Sequence, residues 1–298
     1  MGYQKNKTMQ VPVNDEANLI VRQKGFNYYV VDLRSANRQR ITKIIAGLEA
    51  VERDTWVAQE DFWEYIKKSD FVAYAEQNGK IVGFNLVSIM LKDEYCIYTI
   101  DEAMVLRSYQ GNNLARNVVA VAMWWFMKNG WCTDITKKFV LVSTSSNPKV
   151  VNNYFKNGYI VKIFDNSFNP SEELIALHHE YLKKYGYELV NPDYPFALRE
   201  MFPGSNQFEK YEVIPQYMDG VRDKMPPEYD YVKRGDAWSF MVAASMQAFV
   251  LVTIAVCMAF LGFKALFNDK IGLLKRKSSD TMLEPAAEVG RVSKNMAS

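Results

Sequence analysis

Histidine and cysteine are scarce, with two and three residues in a chain of 298. The histidines, His178 and His179, are neighbours. On a helix they diverge by about 100° with no third ligand at helical spacing, so no residue is assigned to a metal. Cys96, Cys132 and Cys257 lie far apart, in neither disulfide-framework nor zinc spacing, which points to a reducing compartment. Net charge is nearly absent at +2. Residues 264–298 hold seven Lys/Arg against four Asp/Glu, leaving the rest of the chain close to balance. No basic field exists there to hold nucleic acid, and no nucleic-acid partner is expected. The first nineteen residues lack the apolar core of a secretory signal.

Charge is missing altogether between Asp236 and Lys264. These 27 residues exceed the roughly 20 that cross a bilayer core, so 237–263 reads as a single transmembrane helix. Trp238 and Phe263 stand near its ends, where interfacial rings are common. Ala244, Ala248, Ala255 and Ala259 form a small-residue stripe that suits self-association within a bilayer. Basic residues number five after the run and four before it, which leaves orientation open by charge. A large preceding domain favours a cytosolic N-terminal side. The expected localisation is therefore membrane, single-pass and tail-anchored, with a short basic tail at 264–298.

The soluble part alternates strand and helix patterns. Phe26–Leu33 is aromatic and β-branched, as strands are. Ile41, Ile44, Ile45, Leu48 and Val51 share one helical face, and a short helix follows around Phe62–Ile66. Two apolar runs flank Asn78-Gly79, the pair suited to a type I′ hairpin. Tyr95–Leu106 reads as a strand, and a helix carrying Leu114, Val118, Ala122 and Phe126 ends near Gly130. Phe139–Thr144 and Tyr159–Phe164 are further strands around a short helix that starts at Pro148. Asn169, Pro170 and Glu172 open a helix that runs to about Lys184. The proline-rich, aromatic stretch 188–236 reads as an extended arm, lying over the domain or serving as a stalk. Domains are expected at 1–187, 188–236, 237–263 and 264–298.

The order β-α-α-β-β-β-α-β-α-β resembles the GNAT N-acetyltransferase fold over roughly residues 25–165. Three segments carry the resemblance. The hairpin VAYAEQNGKIVGFNLV has Gly83 two residues into its returning run. The loop Gln110-Gly111-Asn112-Asn113-Leu114-Ala115 is similar to the family's pyrophosphate loop, with Asn113 where the family has glycine. The segment from Asn147 through Tyr154 to Gly158-Tyr159 keeps every spacing of the family's second motif. The fold implied is α/β, a mixed, mostly antiparallel central sheet flanked by helices, here with the C-terminal transmembrane helix added.

The resemblance implies an acyltransferase that takes acetyl-CoA as donor and an amine of a protein, peptide or small molecule as acceptor, tethered to a bilayer through 237–263. The alternative is a GNAT-like membrane module without catalysis. Gln110, Gly111, Asn112, Asn113, Leu114 and Ala115 would cradle the diphosphate with main-chain amides at a helix N-terminus. A backbone N–H among Val105, Leu106 and Arg107 would meet the thioester carbonyl. Tyr154 would protonate the leaving thiolate or serve as a core aromatic, and Asn147 would order the site or cap a helix. Asp101 and Glu102 are the candidate bases. On a regular strand only one of them can point into the site.

Overall fold

The computed structural model describes residues 17–55, 62–130, 134, 136–147, 150–151, 172–201, 222, 225–230 and 234–261. Nine strands form one sheet in the order β1-β2-β3-β4-β5-β6-β9-β8-β7. The early strands are β1 (Asn18–Gln23), β2 (Phe26–Asp32), β3 (Phe71–Gln77), β4 (Lys80–Lys92) and β5 (Tyr95–Val105). The later ones are β6 (Lys138–Ser145), β7 (Glu188–Leu189), β8 (Ala197–Arg199) and β9 (Ala237–Ser245). Every neighbouring pair is antiparallel except β5–β6, which is parallel. The helices are α1 (Arg38–Thr55), α2 (Phe62–Lys68), α3 (Leu114–Lys128), α4 (Glu172–Tyr185) and α5 (Met246–Leu261).

The β3–β4 turn forms as its residues dictate, with Asn78 at φ 52° and Gly79 at φ 78°. Lys24-Gly25 makes the corresponding turn between β1 and β2, at φ 50° and 80°. Strand register assigns the faces. Tyr28, Ala75, Gly83 and Val105 align across β2–β5 on the face covered by α3, where Asn117 Nδ2 donates to the Tyr28 hydroxyl at 2.8 Å. Tyr29, Tyr74, Phe84 and Met104 align on the opposite face. There α2 packs Phe62 edge-on to Phe84 at 5.9 Å, and Thr55 of α1 reaches the Met104 sulfur at 3.1 Å. A second apolar cluster joins α4 to β6, β8 and β9 through Leu177, Tyr181, Val140, Leu198 and Trp238.

The uncharged run 237–263 is not one membrane-crossing helix. Its first nine residues are β9, hydrogen-bonded between β6 and β8 inside the sheet. Ala237, Trp238, Ser239, Phe240 and Met241 are all buried there. An interior strand covered on both faces is apolar at successive positions, which hydropathy cannot distinguish from a lipid-facing helix. The switch to helix falls at Ser245, whose Oγ accepts the Ala248 N–H at 3.1 Å as an N-cap. The described helix α5 is 16 residues long and packs antiparallel on α3, with Phe249 against Phe126 and Cys257 Sγ at 3.4 Å from the Ala120 carbonyl. Among the described residues, no helix is long and apolar enough to cross a membrane.

The arm read at 188–236 also contributes to the sheet. β7 and β8 extend it, and Val190, Phe196 and Met225 enter the second apolar cluster, so these parts lie over the domain. Asp236 anchors the start of β9. It is fully buried, pairs with Arg234, and accepts the N–H groups of Asp230 at 2.7 Å and Glu200 at 3.0 Å. A buried carboxylate persists when it is both paired and hydrogen-bonded, as here.

Candidate functional site

The parallel pair β5–β6 stops at Ile100↔Ser143. Beyond it β5 continues to Val105 beside β4, while β6 continues to Ser145 beside β9. Each strand keeps its outer neighbour and loses its inner one, so a gap opens between them. The chain leaving β5 (106–114) and the chain leaving β6 (146–147) stand at this same end, because the two strands run parallel.

The pairing pattern shows which amides enter the gap. Leu106 N–H donates to the Val82 carbonyl at 2.9 Å, so Gly83 and Val105 form a non-hydrogen-bonded pair. The N–H and C=O of Val105 therefore point away from β4, into the gap. Gln110 Nε2 reaches that Val105 carbonyl at 3.3 Å. The Arg107 N–H is held by Asp54 Oδ2 at 2.8 Å. Of the expected trio Val105, Leu106 and Arg107, Val105 alone directs its N–H into the opening.

After the 3-10 turn Arg107–Tyr109 the chain passes through two left-handed residues, Gly111 at φ 87° and Asn113 at φ 59°, and enters α3. The first helical bond runs from Asn117 N–H to the Asn113 carbonyl at 3.0 Å. Among the described residues, no amide from Gly111 to Arg116 donates to a backbone carbonyl, as expected for a helix N-terminus preceded by a nest-like turn. Leu114 is buried and anchors the turn, while 111–113, Ala115 and Arg116 are exposed. Asn113 takes a left-handed conformation, which asparagine tolerates better than most residues. Its side chain makes no capping bond, and Asn112 Nδ2 folds back to the Tyr109 carbonyl at 3.1 Å.

Asp101 is the extra residue of a β-bulge, since Leu86 pairs with Glu102 and Val87 with Ile100. The bulge cancels the alternation expected of a regular strand. Asp101 Oδ2 accepts the hydroxyls of Ser88 and, at 2.9 Å, Ser69, while Glu102 lies opposite Leu86, two residues from Ser88 on the same face of β4. Both carboxylates thus lean to the α1–α2 side, and the expectation that only one could do so is corrected. Tyr185 of α4 closes this group. Burial, then the Asp101 charge, push its hydroxyl up to about 12.

Asn147 begins a helical turn, its carbonyl accepting the Val151 N–H at 2.9 Å, while its own N–H donates to Ser145 Oγ at 3.1 Å. That is the position of an N-cap. Tyr154 lies outside the described residues. His178 is fully buried with Nε2 2.9 Å from Ser239 Oγ, and burial, followed by the His179 charge, pushes it down to about 3. It is a neutral core side chain. Residues not singled out in the sequence are Asp54, Ser69, Ser88, Tyr185 and Arg116. The first four join the site from distant parts of the chain, whereas Arg116 was legible as a cation on the first turn of α3.

No family model and no curated protein matches the sequence. Among solved structures the chain is similar to the ribosomal-protein-S18-alanine N-acetyltransferase from Escherichia coli, at 13% identity and TM-score 0.36, over 73% of this chain and 94% of that one. It is similar to Naa50 of Arabidopsis thaliana in complex with a bisubstrate analogue, at 10% identity and TM-score 0.34, over 72% and 97%. A GNAT family acetyltransferase from Elizabethkingia anophelis with acetyl-CoA bound gives 12% identity and TM-score 0.34, over 74% and 100%. The fold assignment rests on the chain's own strand order, register and opening between β5 and β6. The architecture is an α/β mixed, mostly antiparallel sheet with flanking helices.

Proposed function

We propose that this chain is an acetyl-CoA-dependent N-acyltransferase acting on a primary amine of a protein, peptide or small molecule. The observation that carries the reading is the continuous path from the Val105 N–H in the gap to the unengaged amides of 111–116 at the start of α3. A thioester carbonyl at Val105 and a diphosphate at the α3 N-terminus are the groups such donors suit. Arg116 adds a positive charge to that first turn.

The chemistry balances with residues of this chain. Asp101 takes a proton from the acceptor ammonium, and the freed amine adds to the thioester carbon while Val105 N–H supports the developing oxyanion. The C–S bond then breaks, the thiolate takes up a proton from Tyr154 or water, and the nitrogen's second proton restores that donor as the neutral amide forms, leaving the first proton on Asp101 to pass to solvent. The competing reading, a GNAT-like binding module without catalysis, shares the donor site and differs in turnover.

The donor site is tested at Asn113. Valine at φ 59° is a genuine outlier costing about 1–3 kcal/mol, so Asn113→Val should move the amides and weaken acetyl-CoA binding by about 10- to 100-fold. Asn113→Gly should bind at least as well as the unaltered chain. Equal calorimetric affinities for the valine variant and the unaltered chain would remove the diphosphate from this turn.

A further inference from the structure

Helix α5 buries one side on α3 and the sheet through Met246, Phe249, Thr253 and Cys257. Its other side carries Leu251, Val252, Ile254 and Met258 in the open, with Leu251 69% exposed. With Gln247, Ala248 and Ala255, also exposed, they span roughly 160° of the helix circumference without a charge. Single exposed apolar residues need no explanation, but a contiguous aliphatic arc on one helix does.

We infer that this arc is a peripheral docking surface for an anionic lipid headgroup layer, with α5 lying in the plane of the membrane rather than across it. Two observations favour lipid over protein. The arc offers aliphatic side chains without the aromatic and arginine anchors that concentrate binding energy in protein interfaces. The sequence directly after α5 is basic, with Lys264, Lys270, Lys275, Arg276 and Lys277 against Asp269 within residues 262–277. An apolar helix face joined to a basic segment matches the two attractions an anionic surface provides, acyl burial and headgroup charge. The reading is independent of the acyltransferase proposal, since no residue of the β5–β6 gap takes part.

The test is flotation of the full chain with vesicles of phosphatidylcholine alone and of phosphatidylcholine with phosphatidylglycerol. The expected result is binding to the anionic vesicles that falls at least about tenfold in Leu251→Glu/Met258→Glu and weakens in high salt. Both residues are exposed, so circular dichroism and melting temperature should match the unaltered chain. Three outcomes overturn the inference. These are no flotation with anionic vesicles, flotation untouched by the double substitution, or a concentration-dependent dimer in solution that the substitution abolishes.

Discussion

Asp101→Asn should lower acetyl transfer to a primary amine by about 10²–10³-fold while leaving acetyl-CoA affinity unchanged, the size expected when a general base is removed. The substitution is gentle on structure. Asparagine keeps an oxygen where Asp101 Oδ2 accepts Ser69 and Ser88, so the bulge and the end of α2 retain their hydrogen bonds. Glu102→Gln is the internal control, because both carboxylates lean to the α1–α2 side but Asp101 is the bulged residue directly after the last β6-paired position, Ile100. Its effect should stay below about tenfold. Release of free CoA thiol with a panel of primary amines reads both variants. A larger loss in Glu102→Gln would transfer the role to that residue. An unchanged rate in both would leave proton removal to water.

Acid should unfold this protein partly through one side chain. His178 titrates at about 3 in the folded chain because burial disfavours its charged form, against 6.5 for an unburied imidazole. Between those values the unfolded chain binds a proton that the folded chain refuses, so stability is intact above about pH 6.5 and falls as pH drops. The loss amounts to about 1.4 kcal/mol per pH unit, or about 4–5 kcal/mol by pH 3. His178→Gln removes the titration but sacrifices packing against Phe196 and the contact with Ser239. The variant should be less stable at pH 7, with the gap narrowing as pH is lowered. Urea midpoints at pH 7, 5.5 and 4.5 measure this, and parallel curves would show that His178 is not the source.

Local chemistry made much of the fold legible. Asn78-Gly79 announced its hairpin, and the face from Leu114 to Phe126 announced α3. The β5–α3 turn was recognisable because Gly111 and Asn113 are residues that tolerate positive φ. What stayed hidden depends on partners distant in sequence. β1 is joined to β2 by Lys24-Gly25, where lysine gives no turn signal. β9 is apolar on both faces because strands flank it and helices cover it, so its run merged with α5 into an apparent membrane span. The bulge at Asp101 exists only in the register against Leu86 and Val87, and strand alternation alone predicts the opposite arrangement of Asp101 and Glu102. Asp54, Ser69 and Ser88 reach the site across 53, 32 and 13 residues of sequence. The motif from Asn147 to Tyr159 contributes a helix start at Asn147, and its residues 148–149 and 152–159 lie outside the described residues.

Titration of the full chain with acetyl-CoA, followed by calorimetry and by melting temperature, bears most directly on the gap between β5 and β6. Saturable one-to-one binding with a raised melting temperature is predicted, because a ligand held only by the folded state must stabilise it. Absence of both heat and thermal shift at millimolar acetyl-CoA would contradict a donor site built from the Val105 amide and the 111–116 turn.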